Sequence, residues 1–436
     1  MNILLLGSGG REHAMAAKIA ESSRCMHLFV APGNAGTAQL PKTQNVQLDN
    51  MDFPVIGDFV IEHSIEMVVV GPEGPLVAGI ADYFSSNPRL RSIMVIGPGK
   101  AGAMLEGSKD YAKDFMQRHG IPTAAHRTFT PETLQEGIKY LRTLQAPYVL
   151  KADGLAAGKG VLILDTLSDA KRELTDMLQN SKFGEASARV VVEEYLSGIE
   201  LSAFVLTDGK HYKMLPCAKD YKRIGEHDTG LNTGGMGSIS PVHFADATFM
   251  KKVEERIVIP TVKGLFKEGI PYKGFIFVGL MAVQNAQTGE RDPYVIEYNV
   301  RMGDPETESV FPRIQSDVVE LFEHTWRGHL QLVTLNIDPR NAACVMMVAE
   351  GYPGKYEKGK EITGINDVDG SIVFHAGTKL DGDRVLTNGG RVLCVTSMSD
   401  SMPSALLKSY QELDKIQWEG RYFRHDIGQD LLKMMI

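Results

Sequence analysis

The stretch KADGLAAGKG, residues 151–160, has the glycine and lysine content of a loop that wraps phosphate. Its spacing is not that of a P-loop. Three residues separate Gly154 from Gly158 where four are needed, and Gly160 follows Lys159 where a hydroxyl residue would hold a cation. A phosphate loop of this design must find its metal elsewhere in the chain. VIEYNVR, residues 295–301, offers a candidate. Residues two apart on a strand share a face, so Glu297 and Asn299 would project together. A carboxylate beside an amide oxygen makes a pair of hard donors suited to Mg²⁺ carrying nucleotide phosphates. Arg301 extends the row toward an anion. The alternative is a solvent-facing strand edge, although the polar turn RMGDPE that follows sits oddly as plain surface.

Three further stretches carry candidate chemistry. GSGGREH, residues 7–13, follows an apolar run but has Glu12 where a dinucleotide fingerprint needs its third glycine. Ala31-Pro-Gly33 stands where a ribose-binding acid would close the second strand, which argues against a nicotinamide-dependent oxidoreductase. The loop can still bind phosphate at a helix N-terminus, or be a tight turn without a ligand. VVVEEYLSGIE, residues 190–200, is an apolar strand ending in acids: a solvated loop, or a strand end that pairs with an adenine edge while Glu200 accepts from a ribose. KDYKRIGEHDTGLNTGGMGS, residues 219–238, is long, polar and glycine-rich. Such a loop is either disordered or functional, and its glycines would let backbone amides approach a substrate.

The elements that must position these residues are legible in outline. Apolar runs at 2–6, 27–30, 67–70 and 93–96 each end in a Gly or Pro cluster, the pattern of a parallel α/β sheet whose ligands sit at the carboxyl ends of its strands. A second segment begins near 121–122 and a third carries the runs AFVL, GFIFVGLMAV and PYVIEYN. From about Asp338 the pattern turns to short β-rich pieces and a last helix. At 436 residues the chain should hold several domains. A net charge of −8 argues against a nonspecific nucleic-acid binder. The four cysteines are widely spaced and read as buried thiols in a reducing compartment. No run approaches the ~20 apolar residues of a membrane span, so a cytoplasmic protein is expected.

Taken together, GSGGREH, PGNAGT, GPEGPL, GSKDYAKDFM, VLKADGLAAGKGV, EEYLSGIELS, DTGLNTGGMG, YVIEYNVRMGDPE and RYFRHDIG resemble the ATP-grasp ligases, and within them the phosphoribosylamine–glycine ligase (glycinamide ribonucleotide synthetase) family. The resemblance runs nearly end to end. It implies an α/β ATP-grasp fold with four parts. These are a Rossmann-like parallel-sheet domain (1–121) for phosphoribosylamine, a mobile lid subdomain (122–192), a central catalytic domain (193–335) and a small C-terminal β-rich domain (336–436). It implies ATP as co-substrate, Mg²⁺ or Mn²⁺ as cofactor, and glycine and 5-phosphoribosylamine as substrates. It also implies a monomer or weak dimer in transient contact with the preceding amidotransferase, with no nucleic-acid or membrane partner.

Carried over residue by residue, the resemblance aims Lys109 and Lys151 at the nucleotide phosphates and makes Gly154, Gly158, Lys159 and Gly160 the closing loop. Glu193, Tyr195 and Leu196 become the linker that receives adenine, mainly through backbone atoms, and Glu200 its ribose contact. Glu297 and Asn299 become the metal pair. Gly9, Gly10 and Asn34 fall near the phosphate of phosphoribosylamine and Glu73 near its ribose. Asp220, Arg301 and the loop Thr233, Gly234, Gly235, Met236, Gly237 surround glycine and its acyl phosphate, with Arg301, Asp220 and Lys151 catalytic. Three positions depart from the family pattern: Leu231 for proline, Tyr221 for histidine and Met302 for phenylalanine. GFIFVGLM also lacks the extra acid that many ATP-grasp enzymes offer a metal. These changes are expected to tune activity and not to abolish it.

Overall fold

The runs at 3–6, 67–70 and 94–96 contain no polar residue to set against water, so they fit only strands covered on both faces. In the computed structural model, which describes residues 1–154, 160–180, 182 and 184–435, they form a parallel five-stranded sheet. Its order is Thr43–Asn45, His27–Pro32, Asn2–Gly7, Ile65–Val70, Met94–Ile96. The chain moves outward from Asn2–Gly7 on one side, then crosses to Ile65–Val70 on the other. The loops that leave these two neighbours therefore flank a topological switch point, where open α/β sheets bind ligands. Gly7 turns the chain into the helix Gly10–Glu21 with a φ of +126°, and a Cβ there would lie 2.4 Å from Glu12 Cγ. Glu12 itself reaches back to accept the Gly9 N–H at 2.7 Å, which closes the helix start.

The lid expected over 122–192 is an antiparallel sheet ordered His126–Phe129, Val190–Glu194, Tyr148–Ala152, Val161–Leu164, backed by helices Leu134–Leu141 and Leu167–Asn180. Phe129, Leu150, Leu174, Met177 and Val190 belong to an apolar cluster of their own, separate from the main core. A unit with its own core can pivot without breaking another. At its tip the Ala152 N–H donates to the Gly160 carbonyl at 2.8 Å. The expected closing loop lies between them, and its Gly158 and Lys159 fall outside the described residues.

Facing the lid is a second antiparallel sheet ordered Tyr212–Met214, Gly198–Thr207, Gly274–Gln284, Arg291–Asn299. Residues 195–197 are the direct link between the two sheets. A further sheet joins Lys219–Asp220, Gly237–Ser240, Asn341–Ala349, Arg391–Ser399 and Ile372–His375, with Arg421–Tyr422 added beside Asn341–Ala349. Two of its strands thus come from before residue 336, so the loop 221–236 leaves and re-enters the sheet of the C-terminal part. Among the described residues no helix is long and apolar enough to cross a membrane.

Candidate active site

Arg291–Asn299 lies at the edge of its sheet, and its pairing slips between Gly279 and Leu280, leaving Ile296 as the extra residue of a bulge. Bulges re-aim the side chains beside them. Beyond this one, 297, 298 and 299 pair regularly with 279, 278 and 277, so Glu297 and Asn299 share a face. Among the described residues the half-buried Glu297 carboxylate takes part in no hydrogen bond or ion pair, while Asn299 Oδ1 accepts from Arg301 at 3.2 Å. Also among them, no three or more His, Cys, Asp or Glu side chains are grouped to hold a metal. The donor set fits a cation that completes its shell with phosphate oxygens and water.

Two cations converge on this face. Lys109 opens the helix Lys109–Arg118, whose start is pinned just beyond the strand Tyr148–Ala152 because Asp153 accepts from Ser108 Oγ at 3.0 Å and from the Asp110 N–H at 3.2 Å. Its ammonium donates to the Gly154 carbonyl at 3.1 Å. Burial pushes it below the ordinary lysine range, against the pull of Glu297. Lys151, buried in Tyr148–Ala152, lies 3.0 Å from Glu193 Oε1 and donates to the bulged Ile296 carbonyl at 3.3 Å. Glu193 is shared: Lys113 Nζ sits 3.0 Å from its Oε2. Against its own burial, Lys151 and Lys113 hold Glu193 below the ordinary carboxylate range. Lys113 was not among the expected site residues, although it lies four residues after Lys109 and so on the same helix face. Tyr195 and Leu196 stand in the link between the sheets, Tyr195 exposed and Leu196 half-buried.

Beyond the link, Glu200 pairs with Lys222 at 2.7 Å, so the carboxylate expected on a ribose rests on an ammonium here. Although burial opposes it, Glu200, Asp220 and Glu297 hold Lys222 well above the ordinary lysine range. Burial raises Asp220. Burial and then Asp220 push Glu306, which accepts from Ser202 Oγ at 3.1 Å, up to about 7. A carboxyl raised this way binds its proton more tightly folded than unfolded, so it removes stability as pH climbs from 4.5 through about 7. Glu306→Gln is therefore expected to exceed the parent in unfolding free energy at pH 8 by up to ~3 kcal/mol and to match it near pH 4.5. Denaturant titrations at the two pH values measure this, and a pH-independent difference would contradict the protonated state.

Arg301 joins the parts. Its Nε lies 3.3 Å from Glu73, at the carboxyl end of the parallel sheet, and one terminal nitrogen lies 2.9 Å from Glu106 and 3.2 Å from Asn299 Oδ1. Glu106, missed in the sequence, also accepts the Val300 N–H at 2.8 Å. Arg391, equally missed, clamps the glycine loop to the RMGDPE turn: it donates to the Gly234 and Asp304 carbonyls at 2.8 and 2.9 Å and pairs with the Asp304 carboxylate at 2.9 Å.

Several expected substrate contacts have other duties. The Asn34 amide bonds inside the protein, donating to the Ser8 and His375 carbonyls and accepting from the Gly36 and Thr37 N–H groups, which leaves its side chain no capacity for a ligand. Gly9 gives its N–H to Glu12, and a Cβ on Gly10 would meet Glu308 Oε1 at 2.2 Å. Met236 and Gly237 turn into the core, with Met236 fully buried. Gly235, at φ +120°, would strike Pro305 if it carried a Cβ. Only Thr233 and Gly234 of that loop remain accessible. Of the departures, Tyr221 donates to Asp430 at 2.6 Å and lies under the Lys219 ammonium, Met302 is buried, and Leu231 is exposed.

Three family models match successive segments of the chain. The phosphoribosylglycinamide synthetase N domain matches residues 1–106, the ATP-grasp (A) domain 107–307 and the C domain 342–430. A phosphoribosylamine–glycine ligase of Vibrio cholerae is 46% identical over 430 residues, 98% of either chain. A crystal structure of phosphoribosylamine–glycine ligase from Thermotoga maritima matches with a TM-score of 0.83 at 36% identity, covering 98% of this chain and 100% of that one. A biotin carboxylase from Campylobacter jejuni, solved as a β,γ-ATP complex, reaches a TM-score of 0.71 at 15% identity over 96% of this chain and 92% of its own, a likeness of fold.

Proposed function

The chain belongs to the phosphoribosylglycinamide synthetase family, and on that premise we infer that these residues catalyse ATP-dependent ligation of glycine to 5-phospho-β-D-ribosylamine. The products are N1-(5-phosphoribosyl)glycinamide, ADP and phosphate, the second step of de novo purine synthesis, on an ATP-grasp fold. A carboxylate is a poor acyl donor, so its oxygen first attacks the γ-phosphorus of ATP and releases ADP. The ribosylamine nitrogen then attacks the resulting glycyl phosphate and expels phosphate. Since glycine's own carboxylate is the first nucleophile, the protein needs none. Its work is positioning and charge stabilisation.

Lys109 and Lys151 hold the nucleotide phosphates, with the loop of Gly154, Gly158, Lys159 and Gly160 closing over them to keep water from the acyl phosphate. Glu193, Tyr195 and Leu196 receive adenine through the backbone, and Glu200 turns from Lys222 to the ribose. Glu297 and Asn299 would hold Mg²⁺ or Mn²⁺, which when bound would offset the charge of the nucleotide phosphates. Asp220, Thr233 and Gly234 border the glycine site. The observation that carries this reading is Arg301, whose guanidinium touches both Glu73, just beyond the carboxyl end of the strand Ile65–Val70, and Asn299 of the proposed metal face. An amine held at the first and an acyl phosphate formed at the second would meet there. The divisions 1–121, 122–192, 193–335 and 336–436, a cytoplasmic monomer or weak dimer, and direct receipt of the labile amine from the preceding amidotransferase complete the proposal.

The test is a substrate matrix: ATP with single amino acids, each with and without freshly prepared phosphoribosylamine. Phosphate release that needs both glycine and phosphoribosylamine supports the reading. Release indifferent to glycine removes it.

A further inference from the structure

Two ammonium groups converge on one buried carboxylate between the lid and the metal strand. Glu193, Lys151 and Lys113 are respectively 3%, 5% and 2% exposed, so the triad carries one surplus positive charge out of reach of solvent. Its members differ in where they are anchored. Lys151 stands on the lid strand Tyr148–Ala152, beside the closing loop. Lys113 stands on the helix Lys109–Arg118 and also donates to Thr123 Oγ1 at 2.7 Å, which in turn donates to the Val295 carbonyl at 2.7 Å, two residues before Glu297. Lys113 is thus tied to the strand that carries the metal pair, while Lys151 contacts that strand only through the longer bond to Ile296.

We propose that Lys113 is the counter-charge that frees Lys151 for the nucleotide: it stays on Glu193 when Lys151 leaves that carboxylate for a phosphate. The proposal rests on the ATP reading above and deepens it. A buried carboxylate stripped of its partner is strongly destabilised. With a single lysine on Glu193, the ammonium needed by the phosphate would be held back by the cost of leaving the carboxylate bare. With two, one departs and the buried charge stays balanced. Lys113 touches no substrate and acts through Glu193 and Lys151, as a positioning residue.

Calorimetric binding of MgADP and of adenosine, which lacks phosphates, separates this role from a merely structural one. Lys113→Met is expected to weaken MgADP by about 30-fold or more, the scale of stranding one member of a buried charge pair, and to change adenosine binding by less than about threefold. Adding Glu193→Gln removes the carboxylate that must be neutralised, so the double variant should regain most of the lost MgADP affinity. Equal losses for MgADP and adenosine, or a double variant as weak as the single one, would overturn the role. If Lys113→Met alone does not fold, the double variant is compared with Glu193→Gln. The proposal requires MgADP affinities within a few-fold of each other, and a further loss beyond about tenfold refutes it. Failure of the unaltered protein to bind MgADP would instead remove the nucleotide site, and this inference with it.

Discussion

Glu297→Ala is expected to lower glycine- and phosphoribosylamine-dependent turnover by about 10³-fold or more, the scale seen when a charge-stabilising part is removed from phosphoryl transfer, while the melting temperature should stay nearly unchanged. Both halves follow from the same geometry. Glu297 is half-buried at a sheet edge and among the described residues makes no hydrogen bond or ion pair, so truncation leaves no partner stranded. What the fold loses is one opposing charge for Lys109 and Lys222, each of which keeps other carboxylates nearby, so the cost should stay at about 1 kcal/mol or less. Its backbone pairing with Gly279 is untouched, and a Cβ remains. What disappears is a carboxylate that supports the charges of both Lys109 and Lys222, on the face shared with Asn299. ADP formation is followed at saturating and limiting Mg²⁺, beside thermal unfolding. Unimpaired glycine-dependent ADP release removes the metal assignment. A large fall in melting temperature with lost activity would make Glu297 a structural residue.

How much of this was legible depended on whether a signal is local. The parallel strands were readable because burial on both faces leaves continuous apolar runs at 3–6 and 67–70. Their edge partner Thr43–Asn45, three polar residues, carries no such signal and exists only through its pairing with His27–Pro32. That Glu297 and Asn299 share a face followed from strand alternation, yet the bulge at Ile296 that sets which face depends on the partner strand. Lys113 was half-legible, since its spacing from Lys109 is helical but its partner lies 80 residues away in Glu193. Glu106 and Arg391 had no local mark: each matters through a contact with the 300–304 stretch, made from a distant part of the chain. Asn34 and Gly235 show the opposite difficulty. A turn-rich loop reads as ligand-binding, and only the fold shows an amide fully bonded within the protein and a glycine required by Pro305. The strand at 219–220 pairs with its sequence neighbour 237–240, but 237–240 also pairs with a strand a hundred residues on, a partner that sequence order does not suggest.

Arg301→Met separates chemistry from folding if it is combined with a second change. The guanidinium serves Glu73, Glu106 and Asn299 at once, with a further bond of 3.2 Å to the Met302 carbonyl. A point charge cannot reproduce that fork, so lysine should recover little of the lost activity. Removing the arginine leaves Glu106 buried with, among the described residues, only the Val300 N–H as donor. Burial already raises its pKa, and Arg301 is the chief force holding it down. Without Arg301 the carboxyl rises further and binds its proton more tightly in the folded state. The instability of Arg301→Met should therefore be small at pH 5 and reach about 3 kcal/mol at pH 8. Adding Glu106→Gln abolishes the charge, keeps an acceptor for Val300 and should return most of the stability at pH 8. Activity behaves differently. If Arg301 stabilises developing charge where amine and acyl phosphate meet, the single and double variants should both fall about 10³-fold or more in kcat/KM for phosphoribosylamine. A double variant that recovers stability and turnover together would reduce Arg301 to a counter-ion for Glu106. Recovery of stability alone leaves the guanidinium at the reacting atoms, with Glu106 as the residue that aims it.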